Sequence, residues 1–246
     1  VGDEAGTAIT TGDNNVAVGY AALDANTTGA DNSALGNSAL GANTTGAGNV
    51  AIGHESLDAN TTGASNNAIG YKSLTTNITG TKNNALGSYA LYWNTGSSNV
   101  AMGDNALANN STASNNTAVG FESLKANTTG ANNVAVGSLA LDANTTAADN
   151  TAVGYGSLSA NTTGTRNTGI GRFALTENTT ASDNTSVGYG SLEKNTTGAN
   201  NAALGKGALF ANTTGADNVA VGKGALDANT TGGSNTAVGQ DSLTAN

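Results

Sequence analysis

The chain has 246 residues with 4% aromatic and 10% charged side chains, and neither proline nor cysteine. Its net charge of −9, with scattered Lys and Arg, provides no basic stripe to neutralise phosphates, so nucleic acid is not expected as a partner. Absent cysteine removes disulfides and thiolate metal sites, and no run reaches the roughly 18 apolar residues of a spanning helix, so this segment is not expected to insert into a membrane.

One pattern recurs from the first residues to the last. Residues 1–14 form a degenerate copy, in which Gly6 and Ile9 replace the expected Leu and Asn. The full motif begins with NVAVGYAALDANTTGAD at Asn15 and returns with few changes at Asn133 and Asn218. Fourteen glycines from Gly19 to Gly239 mark its phase. Their spacing is 17 residues, except for 16 between Gly87 and Gly103, where the copy near 88–103 reads YWNTGSSN and has lost one residue of N-T-T-G. The whole chain, 1–246, therefore reads as one repetitive domain, and its mid-motif start and stop suggest a piece of a longer fibre.

Recurrence within the chain separates constrained from free positions. Four residues before each glycine stands Asn, as Asn15. Two before is Ala, as Ala17, except at Gly169 and Ser186, and one before is Val, Ile, Leu or Met, as Val18. Four after is Leu, as Leu23, and seven after is Asn, as Asn26. The structural repeat is thus Asn15, Ala17, Val18, Gly19, Leu23 and Asn26, while the positions of Tyr20, Ala21 and Asp24 vary freely.

Seventeen residues are too few for a helix pair, and two short apolar islands, V-A-V-G and A-L, separated by a breaker predict short strands joined by turns. The expected fold is all-β: a parallel β-solenoid or β-roll of about 14 turns, one copy per turn, stacked every ~4.8 Å into a rod roughly 70 Å long. Asn at corners would pass amide hydrogen bonds from turn to turn and accept a left-handed backbone. Strand alternation puts Val18 on one face, read as core, and Ala17 with Gly19 on the other. The second face is small in every copy and almost never polar, so it also needs a cover. The cover is either the far wall of a thin solenoid or another chain, with a homotrimer packed along these ranks preferred.

The motif N-x-A-[VIL]-G, seen as NVAVG at Asn15–Gly19, NVAIG at Asn49–Gly53, NNAIG at Asn66–Gly70 and NTAVG at Asn150–Gly154, resembles the head repeats of trimeric autotransporter adhesins and related repeats in phage tail fibres. The resemblance implies a left-handed parallel β-roll with three chains side by side. The repeat of that family is near 14 residues, whereas this one is 17, and neither a heptad stalk nor a membrane anchor is found in the sequence.

Candidate chemistry is sparse. His54, the one histidine, lies in a variable rank without a recurring partner, and the Asp of the Asp24 rank give way to Lys125, Phe210, Thr75 and Ala108. No catalytic residue, cofactor or metal site is therefore expected. Asn-Thr-Thr matches a glycosylation acceptor, though a corner Asn followed by Thr explains it without a glycan. The candidate partner-facing residues are Tyr20, His54, Tyr71, Phe121, Tyr155 and Tyr189, all one after the glycine; Trp93 is expected to fill the irregular copy.

The functional expectation is an extracellular structural or adhesive fibre segment on a cell surface or virion, not an enzyme. Its partners would be further copies of the chain, as homotrimer or filament, and a host or environmental surface offering a glycan or protein receptor. The alternatives are a phage tail-fibre shaft and an ice-binding β-solenoid using Thr27 and Thr28, weakened because adjacent strand residues face opposite ways. A polysaccharide-cleaving β-helix lacks a paired acid and base.

Overall fold

The computed structural model describes residues 2–244, which divide into two compact units, the first ending at Glu122 and the second beginning at Ser123. The first carries seven strands, β1 (Val16–Val18) to β7 (Thr117–Val119), and the second carries seven, β8 (Val134–Val136) to β14 (Thr236–Val238). Within each unit the strands are parallel and neighbours in chain order. Each unit is an all-β parallel solenoid, with no helix among the described residues.

Register equals the sequence period. Val16 stands opposite Ser33, and Ser33 opposite Val50, each one repeat apart. Each copy from Asn15 onward holds a single three-residue strand, because the A-L island and the N-T-T-G segment lie in turns and bends. These bends still pair from turn to turn, as when Leu23 N–H donates to Ala39 O at 3.1 Å and Thr27 N–H to Thr44 O at 2.9 Å. Nearly every side of the coil is thus hydrogen-bonded along the axis, which satisfies backbone groups that so short a strand would leave open.

The core is narrow. Leu23 and its copies as far as Leu226 are fully buried, facing fully buried Ala such as Ala51, Ala68 and Ala101. Every one of these Leu has φ of 50–54°, a left-handed conformation costing roughly 1–2 kcal/mol. Burial of a leucine side chain contributes about 1.5–3 kcal/mol, enough to offset that strain.

Two expectations are corrected here. The Val18 rank is not core: Ile52, Ile69 and Leu86 remain exposed, while their strand neighbours Ala51, Ala68 and Ala85 are buried. Only a small residue (Ala, or Gly169 and Ser186) stands between the strand and the Leu rank of the same chain, so the far wall of the solenoid covers the Ala rank. In the single chain the Ala rank is thus already buried from Ala34 to Ala237, while the glycines of the Gly19 rank as far as Gly222 are half-buried. The left-handed corners also fall elsewhere, on the Leu rank, on the residue two after each glycine and on the residue before the first Asn, such as Asp31 at 58°.

The two Asn ranks are buried amide columns. Asn43 Nδ2 donates to Asn26 Oδ1 at 2.7 Å and to Gly46 O at 3.0 Å. In the other column Asn49 Nδ2 donates to Gly63 O at 2.9 Å, and its backbone N–H donates to Asn32 Oδ1 at 3.0 Å. The 16-residue copy keeps both columns. Asn94 Nδ2 stretches to 3.4 Å from Asn77 Oδ1, and Asn99 Nδ2 crosses to Asn94 Oδ1 at 3.2 Å.

Candidate interaction surfaces

Three surfaces emerge from the variable ranks and the outward strand face. The first is the sheet face itself, which carries no charged residue at either outward position of any strand. In the first unit it presents Val18, Leu35, Ile52, Ile69, Leu86 and Met102, 37–49% exposed. In the second unit Ile170 and Leu204 are likewise exposed. The neighbouring outward rank adds Val16 and an exposed amide pair, Asn67 Nδ2 to Asn84 Oδ1 at 2.8 Å. A shallow depression of about 230 Å³ opens beside that pair, lined by Ile69, Leu86 and Met102.

The second surface is an aromatic ridge in the first unit. His54 stacks on Tyr71 with centroids 5.5 Å apart, Tyr71 meets Tyr89 edge-on at 5.4 Å, and Tyr89 meets Tyr92 at 5.4 Å. Trp93 completes it at 4.7 Å from Tyr92. Trp93 is 55% exposed and so does not plug the short copy; its indole stands on the surface. Lys72 Nζ lies 3.1 Å from Glu55 Oε2 and 5.6 Å from the Tyr71 ring, tying the ridge to a charge pair.

The third surface belongs to the second unit. Tyr155 meets Phe173 edge-on at 5.6 Å and Phe173 meets Tyr189 at 6.3 Å. The Arg172 guanidinium lies 4.5 Å from the Phe173 centroid and within cation–π range of both tyrosines. Of the six partner-facing candidates, His54 and Tyr71 thus share one ridge and Tyr155 and Tyr189 another. Tyr20 and Phe121 are exposed. Phe173, Tyr89 and Tyr92 join these ridges from other ranks, because stacking places unlike ranks side by side.

The remaining sequence candidates are accounted for by the scaffold. The Asn of each described Asn-Thr-Thr triplet that faces the core, such as Asn26, is buried with its amide donating inward, which closes that nitrogen to glycan transfer in the folded chain. Thr27 Oγ1 donates to Thr44 O at 3.1 Å, so that hydroxyl row is engaged by the next turn. Thr27 and Thr28 lie in a bend and not in a strand, so strand alternation does not govern them. Among the described residues no group of three or more His, Cys, Asp or Glu comes together, and no helix is long and apolar enough to cross a membrane.

Charge perturbations are mild and local. Burial, with Glu55 and Asp24 nearby, pushes the Asp58 carboxyl above its usual range. The Arg166 guanidinium, hydrogen-bonded at 2.7 Å, holds the Asp183 carboxyl below it. No protein-family model matches the chain, and no curated protein matches it either.

Proposed function

We propose that the chain is a segment of an extracellular structural and adhesive fibre, built by self-association of solenoids and carrying variable side chains for attachment. The carrying observation is the sheet face: an apolar residue stands one before every aligned glycine, yet none of these side chains is buried in a single chain, and Ile52, Leu86 and Leu204 among others lie exposed. Apolar patches of this extent on soluble chains mark interaction surfaces. The unbroken lack of charge along it suits apposition of identical faces, because a homotypic contact would bring any charge against its own copy. The homotrimer is accordingly placed on the Val18 rank in this proposal. Repetition then multiplies weak attachment contacts.

Sedimentation of the chain at micromolar concentrations tests the reading. A trimer or larger species is expected, converted to monomer by the pair Ile52→Lys and Leu86→Lys with unfolding behaviour retained. A monomeric wild-type chain would overturn it.

A further inference from the structure

The outward sheet face nearly repeats itself along the axis. One before the glycine stands Val, Ile, Leu or Met, and three before it stands Val, Thr, Ser or Ala in every copy but two. Sliding one such face past another by a whole turn, ~4.8 Å, exchanges one small or aliphatic side chain for another and forfeits only the contacts of the end turn. Burial of these side chains therefore leaves the axial register of two copies unspecified, as in strands whose pattern permits slippage. The two exceptions are asparagines. Asn67 opens β4 (Asn67–Ile69), Asn84 opens β5 (Asn84–Leu86), and strand pairing sets them side by side. Asn67 Nδ2 donates to Asn84 Oδ1 at 2.8 Å, and among the described residues neither Asn67 Oδ1 nor Asn84 Nδ2 has a partner of its own. The pair thus ends in one free acceptor and one free donor, beside a depression that both amides line with Ile69, Leu86 and Met102.

We propose that Asn67 and Asn84 set the register of self-association, and that the partner they fit is the same pair on a second copy of this chain. The proposal rests on the self-association reading above. A carboxamide both donates and accepts, so parallel copies in step place like groups together and each pair satisfies the other. Displacement by one turn sets one amide of each copy against Val50 or Val100 of the other, which offer side chains without hydrogen-bonding groups. A partner with a wholly apolar face strands both amides. Burying an unmet donor or acceptor is costly, so the in-step arrangement is selected by a penalty on the alternatives. A single polar residue in the repeating apolar seam of a coiled coil fixes register in the same way, at a cost in stability.

The chain has no cysteine, so Asn37→Cys, on an exposed variable rank, carries a single spin label. Pulsed dipolar electron paramagnetic resonance of the full chain reads the distances between labels, and sedimentation reads the association. One narrow distance population is expected. Asn67→Val with Asn84→Val installs the residue that Val16, Val50 and Val100 already place in that rank. This variant should associate at least as tightly while the single population is lost to several. Asn67→Val with Val100→Asn moves the pair by one turn, since Val100 stands opposite Asn84, and should restore a single population. A role of Asn67 within its own turn would not be rescued in that way. A distribution as narrow in the double-valine variant as in wild type, a broad one in wild type, or loss of association without the two amides overturns the proposal. The first of these leaves the self-associating fibre standing, whereas a wild-type chain that sediments as a monomer defeats the fibre and the register pair together.

Discussion

Asn43 donates its amide to Asn26 one turn earlier at 2.7 Å and accepts one from Asn60 one turn later at 2.8 Å, so each carboxamide is both donor and acceptor along the axis. The second amide hydrogen goes to a glycine carbonyl three residues on, as Asn60 Nδ2 to Gly63 O at 3.0 Å. A polar group in the core is tolerated because its bonding capacity is used within the column. Truncation of one member strands its neighbours. Asn60→Ala should cost about 2–4 kcal/mol, since buried partners left unsatisfied cost about 1–3 kcal/mol each. Asn60→Asp should cost more, because it replaces a donor by a buried charge. Denaturant titration of both variants reads the order, and an Asp variant as stable as wild type would contradict it.

The glycine rank is as strict as the Asn columns for a different reason. Gly53 has φ of 134°, and a Cβ there would run into the Gly70 carbonyl of the next turn. Gly53→Ala therefore combines a disfavoured backbone with a backbone clash that no rotamer relieves. A loss of about 3 kcal/mol or more is expected, at the upper end for single substitutions. A thermal midpoint close to wild type would show that the turn can widen without breaking its stack.

Ala51 and Ile52 are adjacent in one strand and opposite in burial, at 0% and 38% exposed. Ala51→Leu forces extra volume between the strand and the Leu rank and should cost about 1–3 kcal/mol or more. Ile52→Thr keeps a β-branched side chain on the outward face and should stay within about 0.5 kcal/mol in dilute solution. The same Ile52→Thr change should weaken self-association. Equal destabilisation of the two would place both faces in packed surroundings within one chain.

This pair also shows what the sequence made legible. Period, parallel stacking and the Asn and Leu ranks follow from recurrence, because a stacked position meets only its own copies. Equating the larger aliphatics with core reverses the two faces of the strand. The better signal was tolerance of volume: the inward rank holds Ala in 12 of 14 copies, with only Gly169 and Ser186 departing, while the outward rank moves among Val, Ile, Leu and Met. Even the departures are packed, since Ser157 Oγ donates to Gly169 O at 2.8 Å and Ser186 Oγ to Ser191 O at 2.7 Å. The ridges are not legible by rank, because each joins side chains from different ranks of successive turns.

Asp58 supplies the last test, through pH. Its carboxyl is half-buried and lies one turn beyond Gly41 and two beyond Asp24 in the same rank, with Glu55 also near. Desolvation, reinforced by Glu55 and Asp24 and opposed by His54 and Lys72, raises its folded-state pKa. A raised carboxyl binds its proton more tightly folded than unfolded, so ionisation at neutral pH works against folding. Stability from this group should rise as pH falls through the folded value and level off below the unfolded one, about pH 4. Asp58→Asn removes the ionisation and should raise the unfolding midpoint at pH 7, with the gain shrinking to nothing by about pH 3. Asp183 runs the other way, since Arg166 holds its carboxyl low and their mutual stabilisation is present above the unfolded pKa and lost in acid. Thermal melts of Asp58→Asn and Asp183→Asn across this range should therefore differ from wild type with opposite signs at neutral pH, the second only slightly, because both members of its pair are solvent-exposed. A gain in Asp58→Asn that persists undiminished at pH 3 would assign the effect to packing and not to charge.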